Sequence, residues 1–335
     1  MNIRSLLPLL LALSVFAPYS AAQGLALGGG AGRSKVESPR RVVPRLVESL
    51  AGSASEGGGW SGNGSPALLV SARAQIAMLA DGHTPRRGEH AAILKAAGRW
   101  TFEHMKPEDG RTFSPDERAA VALYLGDLNT LEPSVTLRRY GDAWVRAAFA
   151  ERDESGFLGE GDRRVENTVE LLMGAARLRD AGGKVDAAAV EASVAALDSL
   201  AHPESGIVTG FEGANLFDRL RDTSAVVVTK LMLGQRPDDD EVLELQVAYL
   251  RRSFKSLRKY KASPDVDFWR WTMEASRQLD EELGDAWFQA GWPAVARAAE
   301  ALGDPKENPD DWDVVAAARI VEAATTPYRY ERFLE

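Results

Sequence analysis

Six times along this chain a helix-like stretch is followed by a loop and then by a second helix-like stretch. The stretches pair as 40–51 with 66–80, 91–105 with 115–129, 134–150 with 163–180, 186–201 with 216–233, 239–259 with 264–282, and 285–302 with 312–326. Boundary signals agree with this division. Ser65-Pro66 and Ser114-Pro115 each place a capping hydroxyl before a proline, and Gly182-Gly183 and Gly234 stop helices. Leu243, Val247, Leu250, Phe254 and Leu257 recur at steps of four and three, which makes one apolar stripe. The β-branched run Val226-Val227-Val228 lies inside a longer helical pattern.

A period of about 45–50 residues belongs to stacked hairpins, open or closed. The second helix of several hairpins (66–80, 163–180, 216–233, 312–326) is apolar on most faces, whereas the first helices are more amphipathic. Helices apolar all round are buried all round. Inner helices ringed by half-exposed outer ones make an α/α toroid, and six hairpins close one. The expected fold is therefore all-α, a six-hairpin toroid over 39–335 with a central cavity. The hairpin loops at 57–64, 110–114, 155–161 and 205–213 should share one face, and the links at 82–88 and 234–238 the other.

Met1–Ala22 reads as a secretory signal peptide: Arg4, an apolar run from Leu6 to Phe16 and small residues Ser20-Ala21-Ala22. Residues 23–38 follow as a Gly- and Ala-rich linker. The expected address is secreted or periplasmic, with no membrane anchor after cleavage. The chain has 0 Cys, which excludes disulfides, thiolate nucleophiles and lipidation. A formal charge of −9 gives no electrostatic reason to bind nucleic acid or an anionic membrane.

Some segments resemble a known family. Gly57-Gly58-Gly59-Trp60 and Pro107-Glu108-Asp109-Gly110-Arg111-Thr112-Phe113 look like the glycine-aromatic loops of squalene-cyclase and protein-prenyltransferase repeats. Gly82-His83-Thr84-Pro85 is similar to a loop of exported bacterial, planctomycete-type proteins of that class. Asp267-Phe268-Trp269-Arg270-Trp271-Thr272 resembles their aromatic fifth inner helix, and Thr326-Pro327-Tyr328-Arg329-Tyr330 their closing segment. The resemblance implies the toroid but not the chemistry. Squalene-type cyclases use an Asp-x-Asp-Asp acid, and Leu220-Arg221-Asp222-Thr223 keeps one of its carboxylates, next to an arginine that should hold it ionised. Zinc prenyltransferases need a cysteine ligand.

The candidate ligand-binding residues are Trp60, Asp222, Asp267, Trp269 and Trp271: aromatics beside carboxylates suit sugar rings or apolar chains. Trp287, Trp292 and Trp312 lie in the closing hairpin. Glu154, Glu160, Asp162, Glu204 and Glu212 offer loop carboxylates of the kind glycosidases pair. Asp238-Asp239-Asp240 reads as a helix start, where acids suit the dipole, and Arg251, Arg252, Lys255, Arg258, Lys259 and Lys261 as a solvated basic face. His83, His90, His104 and His202 show no metal spacing, so no metal and no cofactor are expected. The resulting expectation is an exported binding or scaffolding protein for an apolar or carbohydrate ligand, not an enzyme. The alternatives are a glycan-active hydrolase or lyase and a cyclase-like enzyme.

Overall fold

Ser114 accepts a hydrogen bond from the Glu117 N–H at 3.2 Å, and the Glu117 carboxylate accepts from the Ser114 N–H at 2.9 Å. This reciprocal cap, with Pro115 at the first helical position, starts a helix where the sequence called for one. Asn215 and Asp218 cap another helix reciprocally as well, and the side chains of Ser134, Asp186, Asp240, Asp265 and Asp280 accept a backbone N–H at the starts of other helices. Ser65 does not: Pro66 itself stands at the cap position, with no side-chain bond.

The computed structural model describes residues 36–62, 64–106, 111–261, 263–303, 305 and 312–329. Among them are helices α1 (Pro39–Gly52), α2 (Ala67–Ala80), α3 (Ala91–His104), α4 (Pro115–Leu131), α5 (Val135–Ala150) and α6 (Arg164–Asp180). They continue as α7 (Ala187–Ser199), α8 (Leu216–Met232), α9 (Glu241–Phe254), α10 (Val266–Leu279), α11 (Glu281–Ala301) and α12 (Val314–Arg329). Among the described residues there is no strand, only two isolated bridges. No helix there is long and apolar enough to cross a membrane. The signal peptide at 1–22, the linker as far as residue 35, the loop residues 107–110 and Tyr330 lie outside the described residues.

The even-numbered helices form the inner ring. Each packs on the next, and α12 returns to α2. The odd-numbered helices lie outside them, and α1 seals the ring by packing on α11 and α12. The Trp292 indole N–H donates to the Glu37 carbonyl at 2.8 Å across this seam. The inner helices are buried nearly throughout, α4 continuously from Glu117 to Asn129 and α8 from Asp222 to Met232. Gly126 and Gly174 let α4 and α6 touch backbone to backbone; a Cβ on Gly126 would lie 2.8 Å from the Gly174 carbonyl oxygen. The outer α9 buries the predicted stripe of Leu243, Val247, Leu250 and Phe254, but it ends at Phe254, and a short 3-10 turn at Leu257–Lys259 follows.

One joint recurs in three hairpin loops. Gly58, Gly156 and Gly206 have φ of 92°, 96° and 70°. Each presses on the outer helix of the next hairpin: an added Cβ would lie 2.5 Å from Ala96 on α3, 2.9 Å from Ala192 on α7 and 2.5 Å from Gln246 on α9. Just beyond, a backbone N–H binds a hydroxyl on the hairpin's own inner helix. Trp60 donates to Ser71 at 2.8 Å, Leu158 to Thr168 at 3.0 Å and Val208 to Thr223 at 3.0 Å. Each loop thus ties its own inner helix to the following hairpin.

Gly206→Ala meets both a left-handed φ and a backbone clash, so it should cost about 1–3 kcal/mol. Gly213→Ala shares a φ of 84° but meets nothing within 4 Å, so it should cost only about 1 kcal/mol. Urea titration of both variants measures the joint as their difference; equal losses would refute it.

Candidate active site

The chain enters every inner helix from a hairpin loop, so the inner N-termini meet on one face, called the mouth here. Contacts between loops agree: Arg164 donates to the Gly210 carbonyl at 2.9 Å on this face, and Arg86 meets Glu132 at 3.5 Å between links of the other. Helix N-termini favour negative side chains. The mouth carries Asp116 on α4, Glu166 on α6, Asp218 and Asp222 on α8, Asp265 and Asp267 at the start of α10, and Asp313 before α12.

Below the mouth the ring is filled rather than hollow. Glu170 of α6, fully buried, accepts two hydrogen bonds from Arg73 of α2, one of them at 2.6 Å. It also accepts from Arg319 of α12 at 3.2 Å and Arg270 of α10 at 3.4 Å. Arg270 continues to Glu322 at 2.8 Å. Although burial pushes the Glu170 carboxyl up, Arg73, Arg319 and Arg270 together hold it well below the usual carboxylate range. The expected central cavity is therefore occupied at this level by an ionic plug joining four of the six inner helices.

At the mouth lies a cleft of about 290 Å³, lined by Arg163, Asp265, Asp267, Asp313, Arg319 and the apolar Ile320 among others. Arg319 engages two acids. Its guanidinium donates to Glu166, and its Nε lies 3.4 Å from Asp267. Their acidities are driven apart. For Glu166, burial is outweighed by Arg319 and Arg163, and the carboxyl is held below its ordinary value. For Asp267, burial prevails over Arg319, with Glu166 adding repulsion, and the carboxyl is pushed up. Two acids separated in this way are suited to opposite roles in proton transfer.

Asp222 lies deeper and departs from the sequence expectation. Arg221 does donate to it, at 3.0 Å. Burial nevertheless dominates, and the carboxyl is pushed up to about 6, with Asp218 and Glu166 contributing repulsion. Its Oδ2 has no hydrogen-bond partner, and Gly210 packs so near that an added Cβ would lie 2.6 Å away.

A raised carboxyl binds its proton more tightly in the folded state. Asp222 therefore opposes folding as pH rises from about 4 to about 6 and continues to do so above. Asp222→Asn should raise stability by about 1–3 kcal/mol at pH 7 and by much less at pH 4. Melting of both proteins at the two pH values checks this; a variant less stable than wild type at pH 7 would contradict it.

The structure separates the residues singled out from sequence. Asp267 lines the cleft and Asp222 lies near Glu166. Trp60 is 1% exposed and donates its indole N–H to the Leu50 carbonyl at 2.7 Å. Trp269 is fully buried, donates to the Ser263 carbonyl at 3.0 Å and packs on Trp287. Trp271 is buried under the Arg270 guanidinium, 4.5 Å from the ring centre. None of the three is among the residues lining the cleft. The loop acids Glu154, Glu160, Asp162, Glu204 and Glu212 are exposed. Asp240 caps α9 and sits 2.6 Å from the buried Lys230, as a helix-start reading requires.

Sequence reasoning missed Glu166, Glu170, Arg73 and Arg319. Their signal was charge on helices otherwise apolar all round, with Glu166 and Glu170 one turn apart on one face.

No protein-family model matches this chain, and no curated protein does. Solved structures match its fold, among them two that each match over 88% of this chain and 100% of the other, at 12% identity. One is an inactive variant of the α-1,6-mannanase GH76A of Salegentibacter sp. HEL1_6, with two consecutive aspartates changed to asparagine, in complex with α-1,6-mannotriose (TM-score 0.57). The other is a structure of the GH76A α-1,6-mannanase of the same organism (TM-score 0.56). At this identity the likeness establishes the fold, an all-helical α/α toroid. It does not extend to the squalene-cyclase and prenyltransferase family that the loop motifs resemble.

Proposed function

We propose that this chain is a glycan-active hydrolase working at the mouth cleft, with Asp267 as proton donor and Glu166 as its ionised partner. The carrying observation is that Arg319, which lines the cleft beside Asp267, also binds Glu166 just behind it, with the Asp267 carboxyl pushed up and the Glu166 carboxyl held down. In this reading the Asp267 carboxyl gives its proton to the glycosidic oxygen as the bond to the anomeric carbon breaks. Glu166 either takes a proton from the attacking water or attacks the anomeric carbon itself. Arg319 keeps Glu166 charged, and Arg163, 3.3 Å from Glu166 and 3.2 Å from Asp116, holds it from the loop side. The fold's likeness to a mannanase seen with a mannotriose supports a carbohydrate. The reading of 1–22 as a secretory leader supports a substrate outside the cytoplasm.

This chain has no pair of consecutive aspartates among the described residues of the mouth. Asp238–Asp240 lies on a link and serves α9, and Asp310-Asp311, just before Asp313 in sequence, lies outside the described residues. α-Mannan is thus one substrate to try among several.

A binding protein without catalysis is the second reading, favoured by the arginines already engaging Asp222, Glu166 and Asp267. The experiment is to incubate purified protein with α-mannans and other extracellular polysaccharides and to measure new reducing ends. Cleavage supports the hydrolase, and NMR of the first-released anomer then assigns the role of Glu166. Saturable binding to a polysaccharide without any cleavage would establish the second reading instead.

A further inference from the structure

We infer that the link between α2 and α3 is a binding site for a divalent transition-metal ion, held by His83, Glu89 and His90. One ligand atom from each lies within 4.8 Å of the other two. Two more carboxylates face the histidines. Asp81 Oδ2 is 3.4 Å from His83 Nε2, and Glu48 Oε2 of α1 is 3.6 Å from His90 Nε2, as is Glu89 Oε1. Ligands bound at about 2.0–2.1 Å around a tetrahedral ion stand about 3.4 Å from one another. The carboxylate separations at His90 are of that size, and the 4.8 Å span must close by about 1.4 Å to bring the three atoms onto one ion; with the ion on His83 Nδ1, Asp81 orients the ring through Nε2.

The backbone brings the two imidazoles together, their planes tilted by 55°. Gly82, at φ 91°, ends α2 with its N–H on the Leu79 carbonyl, and the His83 N–H reaches back to Met78 at 3.0 Å. Thr84 and Arg87 then exchange two backbone hydrogen bonds, at 2.9 and 3.2 Å, closing a tight turn. The Thr84 hydroxyl accepts from the Arg86 and Arg87 N–H groups as well. This turn folds Glu89 and His90 back onto His83, with the imidazole centroids 4.8 Å apart. Gly88, at φ 91°, leaves the space: a Cβ there would fall on His83 Nδ1. That nitrogen is buried and has no hydrogen-bond partner, and the His90 side chain is 9% exposed. A buried imidazole nitrogen left without a partner is costly unless something binds it. Two imidazoles with carboxylates form a mixed nitrogen and oxygen set, which suits zinc and its neighbours rather than calcium or magnesium.

The sequence hid this site. Six residues separate the two histidines, which matches neither the one-turn spacing of ligands on a helix nor that of a zinc finger, and the Thr84–Arg87 turn brings them together. The same Gly-His-Thr-Pro stretch stood out in the sequence without a role. An ion there would tie α1, through Glu48, to the end of α2 and the start of α3, reinforcing the joint between the first two hairpins.

The test uses tag-free full-length protein titrated with Zn²⁺ and, separately, with Co²⁺. One Zn²⁺ per chain with roughly micromolar affinity or tighter, the visible bands of four-coordinate Co²⁺ and a melting temperature raised by Zn²⁺ are expected. His83→Gln with His90→Gln should remove all three signals. Glu89→Gln should weaken binding by about tenfold. Its side chain is 77% exposed, so this variant folds even if the histidine variants do not. Absence of saturable Zn²⁺ binding, or wild-type affinity and Co²⁺ spectrum in Glu89→Gln, would overturn the site.

Discussion

Glu170→Ala should lower the stability of this protein by about 3–5 kcal/mol, the loss associated with removing one partner from a buried ion pair. Glu170 is fully buried and receives hydrogen bonds from Arg73, Arg270 and Arg319, which come from three other inner helices. Removing it leaves three guanidinium groups in the ring centre with one carboxylate fewer, while Glu322 and Glu166 are already engaged. At this chain length the loss corresponds to a fall of about 5–8 °C in Tm. The sign with pH follows from the depressed carboxyl. Its contribution is complete above about pH 4.3 and is lost as pH falls through and below that value. Wild type should therefore lose stability in acid that Glu170→Ala has already lost, and the two melting curves should converge. A variant within 1 kcal/mol of wild type at pH 7 would show that the arginines find other partners and that the plug is not structural.

Asp267→Asn should lower polysaccharide cleavage by about 10²–10⁴-fold, the usual contribution of one general acid. Asparagine keeps the shape and can still meet Arg319, but it has no proton to give. KM should change little, because the loss falls on the bond-breaking step. The alkaline limb of the pH–rate profile should vanish as well, since a donor pushed up in pKa sets that limb in wild type. Asp313→Asn is the control: Asp313 lines the same cleft from an exposed position, and its side chain accepts from the Ala316 N–H at the start of α12. It should retain most activity. Equal activity in wild type and Asp267→Asn would remove Asp267 from the chemistry even if cleavage is real.

The ring could be read from the sequence because its determinants are local. Caps such as Ser114 and Asp240, stops such as Gly182 and Gly234, and helices apolar on every face are all visible within a dozen residues. The site could not, because it is assembled from single residues on α2, α6, α10 and α12, far apart in the chain. Trp60 and Trp269 drew attention as large aromatics, yet each satisfies its indole N–H on a nearby carbonyl and fills the core. The loop acids fit a general pattern of paired carboxylates, but the loops carry them to solvent. The acids that converge come one turn further on, where the inner helices begin. Asp222 was found, but the direction of its acidity was not. The neighbouring Arg221 is visible in sequence, while the burial that outweighs it is a property of the assembled ring.

The seam where α1 meets α11 and α12 has a bearing on how such a chain comes to be folded. An open array of hairpins can be shortened and each remaining unit still has its neighbours. A closed circle has no spare member. Until α12 has been synthesised, α2 lacks one flank and α1 has little to cover, and the contact that completes both joins segments roughly 250 residues apart. The chain-entropy cost of that distance grows only slowly with length, so the difficulty is one of timing more than of energy. An unfinished or truncated chain is an arc with two bare apolar edges, poorly shielded from other copies of itself. Whatever helper keeps the unclosed form in solution must act on those edges, and its task ends when the last helix arrives.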